Sequence, residues 1–183
     1  MEGITFFTLH DLISRLNGIE DYPTIGTVEL IVCRPRIEER NELTEGYISS
    51  DYGLDGDNWK RRGSKSGNAL PGAQIALMST KIIGIVTDDK NRWKLAGNQF
   101  FVDFDLSEEN LPVGQQIRIG NAVLEISDVP HHGCGKFSRR FGIDATKFIN
   151  HKDFSGLRLR GVMTKVIESG SVKIGDKIEK ITP

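Results

Sequence analysis

The sequence predicts a mainly β fold, a barrel or sandwich carrying a few short helices. Three observations carry that expectation: short runs rich in β-branched and aromatic residues, Gly-rich turns between them, and helical spacing confined to brief stretches. With 183 residues the chain makes one domain with at most a small appendage, burying about 70% of its unfolded surface. No internal repeat or low-complexity segment breaks the pattern.

The first element is helical. Thr8 stands as a cap, and Leu9, Leu12, Ile13, Leu16 and Ile19 recur on one face before Gly18 and Pro23 close the segment. Residues 1–22 therefore read as an N-terminal helical extension, and residues 23–183 as the β-rich domain. Ile25 to Arg34 is a strand rich in β-branched residues, ended by Pro35, with Cys33 as a packing residue near its end. A second strand is expected over Asn41 to Ile48. The acidic Gly53-Leu54-Asp55-Gly56-Asp57-Asn58-Trp59 that follows reads as a turn; Asp55 and Asp57 offer oxygens to a cation, but too few for an EF-hand. Lys60 to Gly72 is a loop whose Lys60, Arg61, Arg62 and Lys65 suit a phosphate or other anion, or simply water.

Further strands are expected at Gln74 to Met78 and Gln99 to Phe104, with a short helix from Ser79 through Val86 between them. Gln116 to Ile119 and Ala122 to Ile126 form a hairpin around Gly120-Asn121. Phe137, Phe141, Ala145, Phe148 and Ile149 give a helical stripe interrupted at Gly142. Leu157 to Ile167 alternates as a strand does, and Val172 to Ile181 reads as a final strand pair around Gly175-Asp176.

Charge excludes some functions. Twenty-four basic against 25 acidic residues leave a net charge of -1, which argues against a general nucleic-acid coat or a membrane-surface binder. A local basic patch stays open. No apolar run approaches a membrane span, and the amino terminus does not read as a signal peptide, so a cytoplasmic protein is expected. Cys33 and Cys134 make no disulfide framework for a chain of this size, although pairing between them stays open.

Chemistry concentrates in His131-His132-Gly133-Cys134-Gly135-Lys136-Phe137-Ser138-Arg139-Arg140. A thiolate is both nucleophile and soft metal ligand, and neighbouring cations favour it over the thiol. Glycines on both sides let a ligand approach the sulfur, and Lys136, Arg139 and Arg140 suit an anionic group beside it. His131 and His132 have the chemistry to tune the thiol or pass a proton to substrate, or they lie in a surface turn. Arg140 and Phe141 suit helix docking as well.

Several stretches together resemble the MOSC domain, named for the carboxyl-terminal domain of molybdenum-cofactor sulfurases. They are Gly53-Leu54-Asp55-Gly56-Asp57, Leu106 to Gly120, Ala122 to Ile126 before the Cys134 stretch with Arg140-Phe141-Gly142, Arg160-Gly161-Val162, and Val172 through Asp176. The resemblance implies a MOSC-like β-barrel with Cys134 in the place of the family's signature cysteine. It further implies that Cys134 ligates the molybdenum of a bound pterin cofactor or holds sulfur for transfer. Lys136, Arg139, Arg140, Arg61, Arg62 and Lys65 are the candidate cofactor-binding cations. Two departures stand out: Gly133 precedes the cysteine where many relatives have proline, and Trp59 stands where a histidine often follows the acidic turn. The desulfurase portion of the sulfurases is missing, so pyridoxal phosphate is not expected here. A reductase of N-hydroxylated small molecules would draw electrons from a separate partner, as a sulfur carrier would draw sulfur from a desulfurase. The remaining readings are a persulfide carrier on Cys134, a non-enzymatic module for anions or a partner, and a zinc site from His131, His132 and Cys134.

Overall fold

The computed structural model describes residues 6–19, 21–61 and 69–182. Two strands show how its architecture arises. Ile75–Ser79 (β5) is buried at every position, and Phe100–Asp103 (β6), paired parallel to it, is buried at its first three. Alternate residues serve two cores: Ile75, Leu77, Phe100 and Val102 point into one, Met78 and Phe101 into the other. A strand that is apolar on both faces must be covered on both faces.

The inner face belongs to a closed seven-stranded barrel. Ile25–Cys33 (β1) pairs with β6; β5 pairs with Val162–Glu168 (β9); β9 pairs with Ala122–Ile126 (β8); and β8 pairs with Gln116–Ile119 (β7). Lys177–Lys180 (β11) joins β7 and also pairs with β1, which closes the ring. Closure removes the open edges that a sheet otherwise exposes. Asn41–Leu43 (β2) extends β1, while Glu45–Ser49 (β3), Gly53–Leu54 (β4) and Gly170–Lys173 (β10) form a small separate sheet.

Helices cover one outer flank. Leu9–Asn17 (α1) starts with the expected Thr8 cap: its hydroxyl accepts from the Asp11 amide at 3.2 Å, and the Asp11 carboxylate accepts from the Thr8 amide at 3.0 Å. Thr80–Val86 (α2), Gly135–Phe141 (α3) and Ile143–Ile149 (α4) complete the layer. Leu12, Leu16, Ile82, Ile83, Phe137, Phe141 and Phe148 form the outer core with Met78 and Phe101. The helix amide of Leu9 also donates to the Asp144 carboxylate of α4 at 3.2 Å, tying the first helix to the last.

Three expectations change. Asn41 to Ile48 is two strands, because the chain bends at Thr44, leaves the edge of β1 and pairs with β10 instead. Residues 152–157 form helical turns and Arg158 takes a left-handed backbone (φ 49°), so the expected strand over Leu157 to Ile167 starts only at Val162. Finally, β10 and β11 flank Gly175-Asp176 without pairing: one enters the small sheet, the other closes the barrel.

Gly161 marks the tightest of these passages. It sits at φ +89°, and a Cβ there would lie 1.9 Å from the Leu77 carbonyl oxygen. Gly161→Ala is expected to destabilise the fold by roughly 3 kcal/mol, because the left-handed strain adds to a backbone collision. Urea unfolding checks it; a midpoint unchanged from wild type would contradict the packing described here.

Candidate functional site

Cys134 is the residue immediately before α3, in extended backbone, and its carbonyl accepts the first helical bond from Ser138 at 3.0 Å. The segment entering it is pinned. Gly133 donates to Asn150 Oδ1 at 2.9 Å, and Asn150 Nδ2 donates back to the Gly133 carbonyl at 3.1 Å. A Cβ on Gly133 would fall 2.6 Å from Ile149 Cδ1, so glycine is what allows the loop to lie against α4. The thiol is exposed and free, and Cys33 is free but buried, so the two do not pair.

Partial burial alone would raise the Cys134 pKa. The amides of Phe137 and Lys136, then the charges of Arg160 and Lys136, outweigh it and hold the thiol below its usual range. Those amides face the sulfur at the free end of α3 without reaching full hydrogen-bond geometry. At neutral pH the thiolate fraction is therefore enhanced.

The sulfur opens onto a cavity of about 370 Å³. Its lining brings together five cationic side chains, Arg34, Arg40, Lys136, Arg140 and Arg160, and no Asp or Glu among the described residues. Trp59, Leu70, Phe137 and Met163 supply apolar wall. The volume falls in the ordinary range for small-molecule sites.

Arg160 is the most telling of these cations. It is 7% exposed, yet its partners are neutral: Asn98 Oδ1, the Ala96 carbonyl at 2.7 Å and the Met78 sulfur at 3.9 Å. Its Nε finds no partner among the described residues, and its guanidinium lies 5.2 Å from the Phe137 ring centre. Burial pushes its pKa down to about 10, with Cys134 opposing that shift. It remains charged at neutral pH. A buried guanidinium with a spare donor beside a thiolate is a site built for negative charge.

Other cations are already committed. Arg34 forms a bidentate pair with the fully buried Asp57 carboxylate (2.8 and 3.0 Å) and donates to the Gly97 carbonyl at 2.6 Å. Asp57 also accepts the amides of Arg34 and Trp59, each at 3.0 Å, so this acidic turn anchors a cavity wall. Arg140 pairs with Glu38 and donates to the Leu95 carbonyl at 2.8 Å, which fits the helix-docking role.

Of the residues singled out from sequence, Cys134, Lys136, Arg140, His131 and His132 line this one cavity. Arg139 is exposed and lies outside the lining. Arg61 is exposed too, donating to the Pro35 carbonyl at 3.4 Å beside a shallower hollow shared with Lys136. Arg62 and Lys65 lie outside the described residues. His131 is half-buried with its Nδ1 closed off from solvent; burial, then Arg160 and Arg34, keep its pKa well below the ordinary histidine value, so the ring is neutral. His132 is exposed, and both rings also border a second hollow of about 460 Å³. The zinc reading does not stand. Among the described residues no three His, Cys, Asp or Glu side chains gather to hold a metal ion.

Sequence reasoning missed Arg34, Arg160 and Trp59 as cavity residues. Arg160 sat in a recognised stretch, but nothing local marks an arginine that will be buried.

Residues 88–179 match the MOSC domain. The chain belongs to the MOSC family. Among solved structures it is similar to the YuaD protein from Bacillus subtilis, with TM-score 0.62 and 18% identity, covering 84% of this chain and 94% of that one. It is also similar to YiiM from Escherichia coli (TM-score 0.55, 16% identity, 86% and 70% covered). YiiM from Geobacillus stearothermophilus gives TM-score 0.56 at 12% identity, covering 86% and 75%. At these identities the likeness to the solved structures shows the fold alone. No curated protein matches the chain. No described helix is long and apolar enough to cross a membrane.

Two outcomes are expected. Asp57→Asn strands Arg34 in a buried setting and should cost about 3 kcal/mol of stability, read as a lowered thermal midpoint. Arg160→Gln should raise the Cys134 thiol pKa, since one favourable charge is removed; the midpoint of the iodoacetamide alkylation rate against pH then moves upward. An unmoved midpoint would show that Arg160 does not act on the sulfur.

Proposed function

We propose that this MOSC protein binds the molybdenum cofactor, with Cys134 as the metal's protein ligand, and reduces N-hydroxylated or related small molecules. The family is associated with that cofactor. The single observation that carries the reading is the exposed Cys134 thiol, its pKa lowered, facing a cavity whose buried Arg160 keeps a donor free.

The residues present fit such a group. A soft thiolate suits a thiophilic metal. Arg160 and Lys136 supply positive charge for the anionic part of a pterin phosphate, and Phe137, Trp59 and Leu70 give apolar wall for a flat ring. When bound, the cofactor would supply the two-electron redox chemistry, with electrons arriving from a separate partner.

The chain's own residues do the rest. The Phe137 and Lys136 amides, then the charges of Arg160 and Lys136, shift Cys134 toward the thiolate that a metal requires. The Gly133–Asn150 clamp fixes where the sulfur sits. Neutral His131 leaves its buried Nδ1 without a partner among the described residues, an acceptor for a donor group on the substrate. His132, at the exposed edge, is placed to exchange a proton with solvent. The two free thiols accord with a reducing cytoplasm.

A second reading has its own support. An exposed thiol of lowered pKa is also what a persulfide carrier needs. Incubation with a desulfurase and intact-mass measurement separates the two: a gain of about 32 daltons, one sulfur, on Cys134 marks the carrier.

The cofactor reading is checked by elemental and pterin analysis of protein purified from a host that makes the cofactor. Near-stoichiometric molybdenum is expected in wild type, and at least a tenfold loss (about 1.4 kcal/mol or more) in Cys134→Ser that still folds. Absence of metal and pterin from wild type, before and after reconstitution, would remove it.

A further inference from the structure

The cavity carries no acid of its own, but one carboxylate stands at its rim. Glu38 lies on the connection between β1 and β2, and its two oxygens face two lining cations. One is paired with Arg140 Nη2, and the other is 3.8 Å from Lys136 Nζ. Arg140, with help from Lys136, holds the Glu38 carboxyl below its usual range, so it is charged.

Its backbone is unusual. Glu38 and Arg158 are the two non-glycine residues with positive φ among the described residues, and Glu38 stands at 65°. Glutamate has no preference for that conformation, so the turn is held there at a conformational cost. Meanwhile the side chain is 58% exposed and the pairing is solvent-accessible, hence readily exchanged.

We propose that Glu38 is a built-in competitor for the anionic ligand of this cavity: it occupies Lys136 and Arg140 when the cavity is empty and swings aside when a phosphate-bearing ligand arrives. This rests on the anion-binding part of the reading above, and on none of its metal chemistry. Lys136 is the shared element, since it faces both Glu38 and Cys134. An incoming phosphate must replace the carboxylate contact before it gains the cation, so the rim carboxylate screens out weakly held anions. Glu38 is a specificity-determining residue acting through Lys136 and Arg140, with no contact to the sulfur required.

The sign of the effect separates this role from simple helix docking. If Glu38 only steadied α3 through Arg140, its loss would lower stability and weaken ligand binding together. Competition predicts the reverse for binding. The test compares full-length wild type with Glu38→Gln and Glu38→Gly, the second removing the carboxylate while suiting the left-handed backbone. Inorganic phosphate and pyrophosphate are titrated calorimetrically at low salt, and Cys134 protection from iodoacetamide is followed as phosphate rises. Both variants are expected to bind about two- to fivefold tighter than wild type and to protect Cys134 at correspondingly lower phosphate. Raised salt should shrink the difference. Equal or weaker binding in both variants, or no phosphate binding by any of the three proteins, overturns the inference. Failure of the molybdenum reading would look different: metal-free protein that still binds phosphate, with the variants binding it more tightly.

Discussion

A guanidinium buried without a carboxylate is the constraint around which this site is arranged. Burying an isolated charge is costly, and proteins ordinarily meet the cost with an opposite charge. Arg160 is met instead by an amide oxygen, a carbonyl, a thioether and an aromatic face. Those neutral groups solvate the charge without cancelling it. Its field is therefore available to the cavity, where it favours the ionised form of Cys134. Had a glutamate stood at Asn98, the pair would have been quiet and the thiol less acidic.

The fold supplies what that arrangement requires. Arg160 leads into β9 through Gly161, whose missing side chain lets the strand pass against the Leu77 carbonyl. Ala96 and Asn98, its acceptors, precede β6. Cys134 comes from the connection between β8 and α3, outside the barrel wall. The cavity thus lies against the outer face of β5 and β9, where the barrel meets the helical layer, and Phe137 belongs to both the outer core and the cavity wall. Barrel closure gives rigidity on one side, and the Gly133–Asn150 clamp gives it on the other. A site assembled from rigid pieces can hold a sulfur in place without its ligand.

How much of this the sequence made legible depends on whether the governing interactions are local. The β7–β8 hairpin, the Thr8 cap and the stop at Gly142 appear where periodicity and turn chemistry place them, because each is decided within a few residues. The break at Thr44 and the separate fates of β10 and β11 are decided by strands far along the chain, which local pattern does not reveal. The site divides in the same way. Cys134, Lys136 and the two histidines are neighbours in sequence and remain neighbours in the cavity. Arg139 is equally near in sequence, but the helical turn carries it to the exposed face. Arg34 and Arg160, remote in sequence, arrive through tertiary contacts, and Asp57, in the turn read there, proves to be the partner of Arg34.

The same charges that stabilise the thiolate are those an anion would seek, and this couples the two. A bare anion entering the cavity meets Arg160 and Lys136 but also the negative sulfur they hold. Each then weakens the other's claim on the cations, so a simple anion binds less tightly where the sulfur is ionised. A ligand with an electron-poor centre at the sulfur and a negative group a few ångströms away escapes that conflict, since the sulfur's charge is taken up by the centre while the cations turn to the anionic end. Molecules uniting a metal with a phosphate have that polarity. The proposed cofactor reading therefore gives the lowered pKa of Cys134 a purpose that a non-enzymatic anion module does not need.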